Sequence, residues 1–115
     1  MAVLGNYMKY EAMRVLAFGS ISGTYAAVGA STDPSVNQYE IVNSTDKLLR
    51  FSWNGSTDHF VIAAYTHKII DINANKSGNH LFLGANETLY VKHEGSAPTV
   101  GNVYFVTMYA GVKAD

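Results

Sequence analysis

The chain has 115 residues, no cysteine and a formal net charge of −1, and 48% of its residues are hydrophobic. That length suits one domain around one core, and the apolar content is that of a globular chain rather than a disordered one. The composition excludes disulfides, thiolate nucleophiles and Cys-ligated metals, and a near-neutral chain with two arginines, Arg14 and Arg50, is poorly equipped to neutralise nucleic-acid phosphates.

The N-terminal segment Met1 to Tyr10 lacks the basic start and sustained apolar run of a secretory signal, and no apolar stretch approaches a membrane span. Without an export signal, the N-x-S/T sequons at Asn43, Asn54, Asn75 and Asn86 read as by-products of turn composition. Tyr7 to Phe18 is ambiguous. Met8, Ala12, Val15 and Leu16 fall near helical spacing, yet Arg14 to Ser20 suits a strand. The preferred reading divides the chain into an N-terminal arm and possible first strand, 1–23, and a β-sandwich domain, 24–115. The arm either forms a strand of its own sheet or adds one to a neighbouring subunit.

From Thr24 the β pattern strengthens. Thr24 to Val28 runs into turn formers from Gly29 to Pro34, and Val36 to Asn43 alternates with the period of two that a half-buried strand requires. Ser44-Thr45-Asp46 turns the chain into Leu48 to Trp53. Asn54-Gly55 then predicts a hairpin with a type I′ turn, in which both central residues need φ > 0; Asp58 to Tyr65 is the return strand. Lys68 to Ile72, Leu81 to Leu83, Thr88 to His93 and Val103 to Tyr109 read as further strands, with loops at 73–79 and 94–99. The expected fold is all-β, a single β-sandwich or jelly roll of about eight or nine short antiparallel strands.

No catalytic constellation emerges. His59, His67, His80 and His93 have no recognised metal-site spacing, and Asp58 and His59, as strand neighbours, point to opposite faces. There is no G-x-S-x-G elbow, and Gly19-Ser20-Ile21-Ser22-Gly23 has the wrong order for a phosphate loop. Asp33, Asp46 and Asp58 each follow Thr in Ser-Thr-Asp triplets, where Asx or Ser/Thr turns are expected. The reading is therefore not an enzyme, with no cofactor, no metal, no nucleic acid and no membrane.

The aromatic residues are the more informative group. Phe51, Phe60, Phe82 and Phe105 are assigned to the core. Tyr7, Tyr10, Tyr25, Tyr65, Tyr104 and Tyr109 are candidate protein-interface residues, because tyrosine offers large contact area with a polar tip. Stacking of aromatics on a glycan is the competing use, which would make the chain a carbohydrate-binding β-sandwich module.

Two stretches carry a resemblance. Ile41 to Ile62 reads I-V-N-S-T-D-K-L-L-R-F-S-W-N-G-S-T-D-H-F-V-I, and Leu89 to Phe105 reads L-Y-V-K-H-E-G-S-A-P-T-V-G-N-V-Y-F; together they span about a third of the chain. They resemble motifs of small structural proteins of tailed bacteriophages. That resemblance implies a virion protein made in the host cytoplasm. It would serve as a capsid decoration (cement) protein bridging major capsid protein subunits, or as a neck or tail component, and would work as a homo-oligomer, a dimer or trimer.

Overall fold

The computed structural model describes residues 5–33, 36–71 and 86–113. Within them lie nine strands: β1 Gly5–Tyr10, β2 Arg14–Ala17, β3 Ala26–Ala27, β4 Gln38–Asn43, β5 Leu49–Ser52, β6 Phe60–Ile62, β7 Thr66–Asp71, β8 Tyr90–His93 and β9 Asn102–Lys113. A 3-10 turn, Phe18–Ser20, follows β2. The strand expected at Leu81 to Leu83, the loop at 73–79, His80 and Phe82 fall outside the described residues.

The strands form two antiparallel sheets. In the first, β1, β9, β4 and β7 are successive neighbours and β2 also pairs with β9; in the second the order is β3-β8-β5-β6. β1 and β2 run along the same edge of β9, so they are one strand with an interruption. Counted as the first of eight, that strand gives sheet orders 1-8-3-6 and 2-7-4-5, the double Greek key of a jelly roll.

The interruption is a β-bulge. Tyr10 faces Met108 and Arg14 faces Phe105, so Glu11, Ala12 and Met13 oppose only Val106 and Thr107. One extra residue breaks the period of two and swings the strand. Helical and strand spacings therefore competed in the sequence between Tyr7 and Phe18. Pairing of β1 and β2 with β9 makes this segment a strand of its own sheet, so the sandwich begins before Thr24. Beyond Met108, β9 pairs among the described residues only with β1, and the two continue as a two-stranded ribbon.

The core lies between the sheets. Phe51, Phe105, Ile41, Leu49, Val91 and Val103 are fully buried, each aliphatic or aromatic side chain contributing about 1.5–3 kcal/mol. β4 alternates in burial along its whole length, with Tyr39, Ile41 and Asn43 inward. Phe60 is only half-buried; its ring stacks on Phe51 at 5.3 Å. Trp53 packs edge-on against Tyr39 at 5.4 Å and Phe105 at 5.8 Å.

Polar side chains are buried beside this apolar layer as well, Asn43 and Thr45 among them. Asn43 is fully buried, donates to the carbonyls of Lys47, Ile62 and Ala63 and accepts from the N–H and hydroxyl of Thr45. It ties the corner after β4 to the corner after β6. Nearby, Gly101 adopts φ +96°, and a Cβ there would run into the Ser44 carbonyl, so no other residue fits the present backbone.

The hairpin joining β5 and β6 forms, but with a different turn from the expected one. Gly55 has φ +78°, whereas among the described non-glycine residues only Tyr65 and Asn86 have positive φ. Asn54 therefore does not meet the type I′ requirement. Side chains organise a wider loop instead. The Ser52 hydroxyl accepts from the N–H of Asn54 and Gly55, Asn54 Oδ1 accepts from the N–H of Ser56 and Thr57, and His59 Nδ1 accepts from the N–H of Trp53.

Candidate interaction surface

Strand register decides which residues share the outer face of the first sheet. One row across it is Val15, Tyr104, Val42 and His67; the next is Val106, Glu40 and Ile69; the third is Tyr10, Met108, Gln38 and Asp71. Tyr10, Val15 and Ile69 are 67%, 44% and 58% exposed, and Tyr104, Val106, Met108 and Val42 are half-buried. Met13, presented by the bulge, is exposed at the rim. An antiparallel sheet with one solvated face normally alternates apolar-in with polar-out. Here β9 is apolar on both faces from Val103 to Val106.

Beneath this face the bulge is held by a buried ion pair. Arg14, 9% exposed, donates from Nε to the Ala30 carbonyl, from Nη1 to the Thr107 hydroxyl, and from Nη2 to Glu11 and the Ser31 carbonyl. Glu11 also accepts from the Thr107 hydroxyl at 2.7 Å and the Asp33 N–H at 3.1 Å. Burial alone would raise the Glu11 pKa; the Thr107 and Asp33 hydrogen bonds and the Arg14 charge outweigh it and hold the carboxyl below its ordinary value. The guanidinium rests over the Phe105 ring at 5.5 Å. Gly29, at φ +72°, lets the chain pass this side chain, since a Cβ there would lie 2.8 Å from Arg14 Cβ.

The outer face of the second sheet is built differently. Arg50 and Lys92 are register partners there. Asp58 lies 3.5 Å from each, and Arg50 also pairs with Glu94. Tyr25 donates its hydroxyl to Asp58 at 2.5 Å and receives the Lys92 ammonium over its ring at 4.8 Å. Desolvation and the Asp58 hydrogen bond push the Tyr25 pKa up to about 12. The Tyr25 hydrogen bond and the nearby cations hold Asp58 below its ordinary value. The hairpin loop folds over the end of this face, where Gly55 approaches the Tyr90 ring.

The candidate tyrosines therefore separate. Tyr10 and Tyr104 lie on the outer face of the first sheet, whereas Tyr25 belongs to the charged network on the second. Tyr65 is exposed in the turn between β6 and β7 at φ +57°. Tyr109 pairs with Lys9 in the ribbon; Tyr7 lies in β1, its side chain outside the described residues. Sequence reasoning missed Val15, Val42, Val106, Met108 and Ile69. The signal was there: Val103 to Tyr109 has no charged residue on either alternation.

The Ser-Thr-Asp triplets also differ from expectation. The Asp46 carboxylate accepts from the N–H and hydroxyl of Thr99, and Asp58 reaches Tyr25. These acids tether distant loops, while Thr45, Ser52 and Asn54 provide the local capping. Among the described residues no group of three or more His, Asp or Glu side chains is placed to hold a metal ion, and no helix is long and apolar enough to cross a membrane. No family model matches the chain, and no curated protein is significantly similar to it.

Proposed function

We propose that this chain is a non-enzymatic structural protein of a tailed-bacteriophage particle, a capsid decoration protein that stabilises the shell by bridging major capsid subunits. The observation that carries the reading is the apolar outer face of the first sheet. A contiguous exposed apolar patch on a soluble domain marks a site of association, and the rows from Val15 to Tyr10 form one. The motifs at Ile41 to Ile62 and Leu89 to Phe105 support the virion assignment, and the jelly-roll order is an architecture used by capsid domains. Trp53, the one tryptophan, is engaged by Tyr39 and Phe105, which disfavours a glycan-stacking role for it.

Cryo-electron microscopy of the particle that contains the chain tests this reading. Density for the domain spread over the whole shell is the expected result. Density confined to a single vertex would overturn decoration and favour a neck or tail component, and absence from the particle would overturn the virion role.

A further inference from the structure

We propose that the open edge of β2 takes an extended, uncharged segment of the shell subunit as an added strand, seated in the cleft between residues 11–15 and 29–31. This rests on the virion role above and names how the partner is gripped at the rim of the apolar face.

Strand register leaves the β2 edge unpaired. Arg14 and Leu16 pair with Phe105 and Val103, and the Phe18 N–H donates to the Gly101 carbonyl. Alternate residues of an antiparallel strand bond to a given neighbour, so the N–H and C=O of Val15 and Ala17 point away from β9. Among the described residues nothing bonds to them. Beside them lies a cleft of about 510 Å³, lined by Glu11 to Val15 and by Gly29, Ala30 and Ser31, a size usual for binding sites. Its two charged side chains, Glu11 and Arg14, are paired with each other, which leaves the walls neutral.

The other edge strands are defended. β3 and β6 have two and three residues, and β1 carries Lys9. On β7, Lys68 lies opposite the buried Ile41 and turns inward, its ammonium 5.6 Å from the centre of the Phe60 ring. Short strands and lysines keep an edge from pairing with another chain. From Ala12 to Thr32, by contrast, there is no proline and the one charged residue is the buried Arg14. Met13 and Val15 belong both to the cleft and to the apolar face. A partner that covers the face therefore takes the Val15 backbone groups out of water, which is costly unless they gain hydrogen bonds. An extended chain supplies donors and acceptors at the matching spacing. The wall of Gly29 and Ala30, without charge or bulk, selects small apolar side chains in that chain.

Co-sedimentation with shells assembled without this chain tests the proposal. Ala17 has φ −73°, which proline adopts, so Ala17→Pro removes an outward N–H and no bond to β9. It is expected to keep the circular dichroism of the wild type and to bind shells about tenfold more weakly, the effect of one such bond. Ala30→Lys, at the exposed cleft wall, is expected to weaken binding likewise, whereas Ser96→Lys, exposed after β8, is not. Hydrogen exchange over residues 14–18, read by mass spectrometry, is expected to slow on the shell as the Val15 and Ala17 amides become protected. A17P or A30K chains that bind like the wild type, or exchange over 14–18 that is unchanged on the shell, would overturn strand addition and leave the virion role standing. A chain that binds no shell would overturn both.

Discussion

The two outer faces of this sandwich each span four strands, β1 and β2 counted as one, yet they solve the problem of facing water in opposite ways. On the second sheet, Arg50, Lys92, Asp58, Glu94 and Tyr25 satisfy one another and a hairpin loop closes over one end. On the first, Val15, Tyr104, Val42, Val106, Ile69 and Met108 lie side by side with few polar groups between them. The lesson is that polar character on a sheet face need not mark a binding site. Here the charged face is internally complete, and the bland one has surface left to bury.

The comparison breaks most severely at the support beneath the first face. Arg14→Ala leaves Glu11 and Thr107 without their buried partner and is expected to cost about 3–5 kcal/mol in urea unfolding. A cost below that of a surface substitution would show that the bulge does not depend on the ion pair. The same pair predicts a pH dependence. Glu11 has a folded-state pKa below its ordinary 4.5, so its contribution is present above about that pH and is lost as pH falls through the lower folded value. Glu11→Gln should flatten that acid limb of a stability–pH curve.

On the second face the alkaline limb is informative. Tyr25 is neutral in the folded state up to about 12, so the stabilisation it carries is complete below the ordinary tyrosine value of about 10 and fades between there and 12. Burial also raises the Tyr39 pKa, so ultraviolet titration should show late-ionising tyrosines of which Tyr25→Phe removes one; an unchanged titration would rule out the Tyr25–Asp58 bond in solution. Arg50→Ala is expected to cost about 1 kcal/mol or less in thermal unfolding, because its partners are substantially exposed. Deleting residues 1–10 is expected to have a small effect on folding and a larger one on assembly. The described side chains of β1, Lys9 and Tyr10, are exposed, and the ribbon past Met108 pairs with nothing else in the described chain. An unfolded deletion product, seen by circular dichroism, would show instead that β1 is required by the core.

The strands from Gln38 to Ile62 were legible because alternation, turn residues and the Asn54-Gly55 pair agree with one another. The last strand was legible in position, and Tyr104 and Tyr109 on it stood out as surface candidates, but Val106 and Met108 beside them did not, because an aliphatic residue in a strand reads first as core. Residues 5–17 were obscure for a physical reason. A bulge removes the periodicity on which strand recognition depends, and Arg14 occupies an inward position where an apolar residue is expected. The same holds for Asn43, whose buried role rests on carbonyls far away in sequence.

Strand β9 hydrogen-bonds to β1, β2 and β4, and it follows all three in the chain. Gly5 finds its partner at Lys113, across nearly the whole described sequence. Contacts of such separation make closure of the first sheet a late and slow event, in the millisecond-to-second range typical of non-local β topologies. Until β9 arrives, the β4 edge stands open to any other extended chain. The last strand therefore acts as a kinetic latch, and substitutions that destabilise it should show first as poor folding yield.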